Sequence, residues 1–186
     1  MSKLSKAGFS LAVLAMVYLI GLLLLTSAPL NLATWTLWLI VNTSLAASLY
    51  RSEKPYELMA AYTVGTAIIA AIAVYNYTVG TTPLSWGIAE TVTVVTVLIA
   101  LVAWRFTTND VGVIMTTIAM VIAGVPTWID AYYRPESQSV LFWSVNALAC
   151  VLSYFGAPPK FVARFMPLCG GLANCLIAVL ALRQFA

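Results

Sequence analysis

The chain has 186 residues, of which 62% are hydrophobic and only 8% charged, with a mean hydropathy of +0.98. A soluble domain carries about 25% charged residues, so these charges cannot cover a water-facing surface, and the sequence reads as an all-α integral membrane protein. The +3 net charge comes from dispersed Lys and Arg and excludes a nucleic-acid face, while the absence of histidine removes the commonest neutral-pH proton relay and metal ligand.

Seven stretches approach the roughly 20 apolar residues that a bilayer-crossing helix needs. They are residues 7–27, 32–50, 56–77, 84–104, 111–130, 139–155 and 163–182. The first follows Lys3 and Lys6, spans a full bilayer length and ends without a small-residue cleavage site, so it reads as a mature helix and not a signal peptide. The second carries Trp35, Trp38 and Asn42. After the turn "RSEKPYE", Pro55 suits the first turn of the third helix, which contains Thr66. The fourth holds Glu90, the one carboxylate clearly inside a span. An intramembrane acid is a functional candidate by default, so Glu90 is the candidate coupling acid, though it stands only one turn past Trp86.

Asn109 or Asp110 is placed to cap the fifth helix. Deep in that helix, Pro126 removes a backbone hydrogen bond and is a candidate hinge. It opens "PTWIDAYYRPESQSVLFW", a charged corner in which Asp130 can pair with Arg134 before apolar sequence resumes with Trp143. The sixth helix continues to Asn146. The seventh carries Pro167, Gly170 and Gly171, which are further hinge candidates, and Asn174. Trp35, Trp86, Trp104 and Trp128 fall near span ends, where an interfacial belt accounts for them; Trp38 and Trp143 sit deeper. Cys150, Cys169 and Cys175 show neither metal-ligand spacing nor a disulfide framework and read as small core residues. No cofactor, metal or catalytic constellation is expected, and therefore no enzyme.

Lys3, Lys6, Arg51, Lys54, Arg105, Lys160 and Arg164 fall on one side of this topology, and Arg134 and Arg183 on the other. Seven against two puts the amino terminus in the cytosol and the carboxyl terminus outside. The two ends of the chain also resemble each other. The second and sixth helices each run from a proline through a Trp to an Asn three or four residues later. "VGTAIIAAIAVY" from Val64 lies without a gap over "LANCLIAVLALR" from Leu172, which sets Thr66 on Asn174. The reading is two parallel three-helix repeats joined by a linker helix, a 3-1-3 order with bounds at residues 1–83, 84–106 and 107–186.

With Pro126-Thr127 near the end of the fifth helix, the "RPESQS" loop and Trp143 beyond it, the chain resembles the SWEET/PQ-loop superfamily of small seven-helix transporters. The "P-x-N-x-x-T-W-x-x-W" of Pro29 to Trp38 and the late Asn174 are similar to an uncharacterised bacterial branch of it. Thr127 stands where the family has glutamine, and the first repeat has no Pro-Gln pair. The resemblance implies a transporter of a bacterial inner membrane.

Helix rise puts Trp38, Asn42 and Thr66, and Trp143, Asn146 and Asn174, about 12–18 Å above the cytosolic ends of their helices. That is midplane depth, where repeat transporters bind substrate. Asparagine offers donors and acceptors without a buried charge, and tryptophan a stacking face with one N–H. The expected ligand is a small neutral polar solute such as a sugar or vitamin, carried by uniport. A homo-oligomer in the lipid bilayer is compatible with this. The rival reading is a non-transporting sensor or assembly subunit on the same fold. A retinal protein is excluded, because the seventh helix has no lysine for a Schiff base.

Overall fold

The computed structural model describes residues 2–26, 30–80 and 86–186. These form α1 (Lys3–Thr26), α2 (Leu32–Arg51), α3 (Glu57–Thr78), α4 (Ile88–Trp104), α5 (Asn109–Ala123), α6 (Val125–Tyr133), α7 (Val140–Gly156) and α8 (Phe161–Leu182), with 3₁₀ turns at Pro135–Ser137 and Arg183–Phe185. α5 and α6 make one span, Asn109–Tyr133, interrupted at Gly124. That span, α1, α2, α3 and α8 with its terminal turn are long and apolar enough to cross a membrane, so the chain is an integral membrane protein. α4 is shorter than the sequence suggests, and α7 keeps the length read for it one residue later: 17 residues each, about 25 Å of helix. The sequence-read ends at Ser27 and Leu84, Pro29, and the boundary between residues 1–83 and 84–106 lie outside the described residues.

Helix starts follow the capping chemistry in the sequence, with two corrections. Asn31 Oδ1 accepts from Thr34 N (3.0 Å) to begin α2, and Ser139 Oγ accepts from Phe142 N (3.2 Å) to begin α7. Pro55, expected in the first turn of α3, stands before its N-cap, Tyr56. Neither Asn109 nor Asp110 caps α5. The helix takes Asn109 as its first residue, Asn109 Nδ2 reaches across to the Arg51 carbonyl (3.3 Å), and Asp110 pairs with Lys54. Both side chains are drawn to the end of α2 in place of their own backbone.

Within the spans, hydroxyls hide from lipid by bonding back along their own helices. Thr36 donates to the Leu32 carbonyl (2.7 Å), Thr63 to Met59 (2.8 Å) and Thr117 to Val113 (2.7 Å). Apolar attraction between helices is weak in a bilayer, so association rests on close packing. α3 lies against both α1 and α2, and α8 against both α7 and the α5–α6 span. The two sets meet along α1 with α7 and along α2 with α5, and α4 lies outside, mainly against α5. Only Glu90, Thr93 and Val97 of α4 are buried.

The α1/α7 seam is the tighter of the two. A Cβ on Gly8 would stand 2.5 Å from Ser153 Oγ and 2.6 Å from the Ala149 carbonyl oxygen, and one on Gly156 would stand 2.5 Å from Ser5 N. Ser2 Oγ also donates to the Gly156 carbonyl (2.9 Å). At the α2/α5 seam the spacer is an indole: Trp38 Cζ2 lies 3.2 Å from where a Gly124 Cβ would be.

Candidate functional site

Where the two sets of helices meet, they leave a cavity of about 60 Å³. Its walls include Trp38 and Asn42 from α2, Thr66 from α3, Trp143 and Asn146 from α7, and Asn174 from α8. All six residues singled out by depth therefore share one cavity. Gly170 also lines it. The remaining wall is apolar: Met16, Met120 and Met166, with Trp35, Phe142 and Ile177 among the larger groups. The space is the size of a few water molecules, at roughly 10–15 Å³ each by this kind of measure.

Two layers of side chains define it. The first is a cluster of four rings, Trp35 and Trp38 from α2 and Phe142 and Trp143 from α7, with centroids 4.7 to 6.5 Å apart. Several of these contacts are edge-to-face, the arrangement that ring quadrupoles favour. Trp35 is a correction, since it is not at an interface but 3% exposed, in the middle of this cluster. The second layer is polar. Asn42 Nδ2 donates to Thr66 Oγ1 (3.2 Å), Asn146 Nδ2 to the Phe142 carbonyl (2.9 Å) and Asn174 Nδ2 to the Gly170 carbonyl (2.7 Å). Tyr62 Oη contacts Cys150 Sγ at 3.6 Å beside them.

The indole donors of Trp38 and Trp143 are already engaged within the protein. Trp38 Nε1 donates to the Met120 carbonyl (3.0 Å), and Trp143 Nε1 to Gln138 Oε1 (3.1 Å). The first bond has a local cause. At the α5–α6 break the Gly124 N–H turns to the Val121 carbonyl (3.0 Å), which strips Met120 of its usual helical donor, and the indole replaces it. Acceptor capacity remains open. Asn42 Oδ1 and Asn146 Oδ1 are buried and have no hydrogen-bond partner. Their residues are 5% and 1% exposed. The amide orientation of Asn146 is fixed by the Phe142 carbonyl, which only the NH₂ can meet. Each orphaned carbonyl costs about 1–3 kcal/mol until a donor arrives. The site is thus a ring-walled space with two acceptors, one from each set of helices.

The other residues singled out in the sequence lie elsewhere. Pro126 is buried just past the α5–α6 break, so the interruption sits at Gly124, before the proline. Pro167 stays inside a continuous α8. Glu90 is built into a helix start: its Oε2 accepts from Gly87 N (2.8 Å) and its Oε1 from Asn31 Nδ2 (3.1 Å). Asn31 Nδ2 also donates to Asp130 Oδ2 (3.2 Å), and Asp130 pairs with Arg134 as its sequence spacing suggests. Of the cysteines only Cys150 is in the core; Cys169 is half-buried and Cys175 exposed, because the apolar runs that hold them also face lipid.

Sequence reasoning passed over the methionines and Trp35. One signal for the methionines exists: "Ala-Met-Val" occurs at residues 15–17 and again at 119–121, and both Met16 and Met120 line the cavity. Comparison with protein-family models, with curated proteins and with solved structures finds no match for this chain.

Proposed function

We propose that the chain is a uniporter-like, alternating-access transporter whose ligand presents a neutral, hydrogen-bond-donating group to the central cavity. One observation carries this reading. Asn42 and Asn146, from α2 and α7, line one cavity between the two sets of helices, and each has a buried carbonyl oxygen with no partner. Packed proteins rarely leave buried acceptors unmet, and a ligand with hydroxyl or amide N–H groups would supply the donor each one lacks.

The 3-1-3 repeat belongs to the same proposal. The matching adjacencies of α3 and α8 support it, as does the paired use of Asn42 with Asn146, Met16 with Met120 and Thr66 with Asn174. On this reading α4 is the linker, and the interruption at Gly124 beside Pro126 is a flexible point. The seven-to-two charge bias supports a cytosolic amino terminus, and the SWEET/PQ-loop resemblance supports a bacterial inner membrane.

The small size of the cavity favours a second reading, a non-transporting sensor or assembly subunit that binds the same group without carrying it. Thermal stability of the purified protein against sugars, nucleosides, vitamins and amino acids tests the site. A shift from one class that is lost in Asn146→Ala and Asn174→Ala supports it, and a shift that survives in both removes the assignment. Counterflow of that ligand in liposomes then separates carrier from sensor.

A further inference from the structure

Two apolar grooves open on the outside of the bundle. One, of about 330 Å³, runs between α1 and α3 and includes Met16, Ala61, Val64, Gly65 and Ile68 in its lining. The other, of about 210 Å³, runs between the α5–α6 span and α8 and includes Val121, Cys169, Leu172, Ala173 and Leu176. Every α8 residue of the second groove has an α3 counterpart in the first, and Ala60 alone has none. In the ungapped register that sets Val64 on Leu172, Ala61 falls on Cys169, Gly65 on Ala173 and Ile68 on Leu176. Val64 and Leu172 are each 64% exposed, so in a membrane both grooves face the hydrocarbon.

Each groove shares a wall with the central cavity. On the first side the common residue is Met16, whose side-chain atoms lie 2.5 to 2.9 Å from where a Gly65 Cβ would stand, so it fills the place that glycine leaves free. A methionine is the most pliable apolar stopper available. On the second side the common residues are Val121 and Ala173. One thickness of side chain separates lipid from a cavity that is itself mostly rings and methionines, with two unmet carbonyl oxygens.

We infer that the ligand reaches the cavity sideways from the bilayer, and that it is an amphiphile: a hydroxyl- or amide-bearing head for Asn42 and Asn146 and a hydrocarbon tail for the groove. This rests on the cavity being the binding site, as proposed above, and narrows the ligand class. Grooves whose only polar side-chain atoms are the Trp128 indole N–H and the Cys169 thiol give a sugar no way in, whereas an alkyl chain is already dissolved beside them. Two equivalent grooves serve one cavity, one for each set of helices.

The test uses the full chain in lipid nanodiscs, with Trp86, Trp104 and Trp128 replaced by phenylalanine, so that only the three cavity indoles fluoresce. The probe is 2-bromododecan-1-ol, whose bromine sits beside the hydroxyl and quenches on contact, titrated as a mole fraction of lipid. Saturable quenching is expected. It should weaken at least tenfold when both grooves are filled from their rims (Ala61→Phe, Val64→Phe, Cys169→Phe, Leu172→Phe), and also in Asn42→Leu/Asn146→Leu. Quenching by aqueous acrylamide should be unchanged by the groove substitutions, which checks that the cluster is still assembled. If filled grooves leave the bromoalkanol titration unchanged while the asparagine variant weakens it, the lateral route is overturned and the cavity stands. If the parent shows no saturable quenching, the amphiphile is overturned, and the soluble-ligand panel alone decides the cavity.

Discussion

Asparagine does opposite work at two places in this molecule. At the end of the bundle where α2 begins, Asn31 has its amide fully engaged: Oδ1 caps α2, and Nδ2 donates to Glu90 on α4 and to Asp130 on α6. In the central cavity, Asn42 and Asn146 each donate once and leave a buried carbonyl oxygen unmet. A satisfied asparagine joins elements. An unsatisfied one costs stability and keeps capacity for something that arrives later. Burial does not distinguish the roles, because the unmet pair is the deeply buried one; the count of partners does.

The comparison can be broken most forcefully at Asn31. Asn31→Ala removes a helix cap and one donor from each of two carboxylates, and unfolding in detergent should show a loss of about 2–4 kcal/mol. Ligand affinity in the protein that remains folded should stay within about twofold. Trp38→Phe keeps one aromatic ring but loses the pyrrole half of the indole and the N–H that caps the Met120 carbonyl. About 1–2 kcal/mol of stability should go with it, read by the same denaturation. Asn146→Leu should move the other way on stability, between no change and a gain of about 1 kcal/mol, because it removes an unmet acceptor. The same change should weaken ligand binding about tenfold or more, by thermal shift or direct titration. A large destabilisation in Asn146→Leu would mean that the residue is a structural joint like Asn31. The smallest effect is expected where the α2–α3 turn meets the start of α5. Lys54→Ala breaks the ion pair with Asp110, whose side chain is 59% exposed, and should cost no more than about 1 kcal/mol, less in high salt.

Much of this was legible in the sequence, and the rest was not for definite reasons. Helix positions follow from long apolar runs punctuated by Pro, Asn and Ser. Their ends drift where a side chain finds a better partner on a neighbouring helix, as Asn109 does on the Arg51 carbonyl. Depth alone gathered Trp38, Asn42, Thr66, Trp143, Asn146 and Asn174, because helix rise is a fixed ruler in a bilayer and polar side chains there stand out. Depth could not place Trp35. It is one turn closer to the helix start, which makes it look interfacial, yet it faces α7. Met16, Met120 and Met166 were invisible for another reason: in an apolar chain, a residue lining a cavity and a residue facing lipid have the same chemistry. Nor could sequence show that the indole N–H groups are already taken, since the demand from Met120 arises only once the helix breaks at Gly124.

The glycine contacts between α1 and α7 have a mechanical consequence. Backbone meets backbone at Gly8 and Gly156 with no side chain between, so that seam has nothing left to compress and cannot slide without lifting apart. The seam between α2 and α5 is spaced by a rotatable indole and lies beside a broken helix. Under the proposed alternating access, the glycine seam is therefore the fixed side and the α2–α5 seam the side that can give.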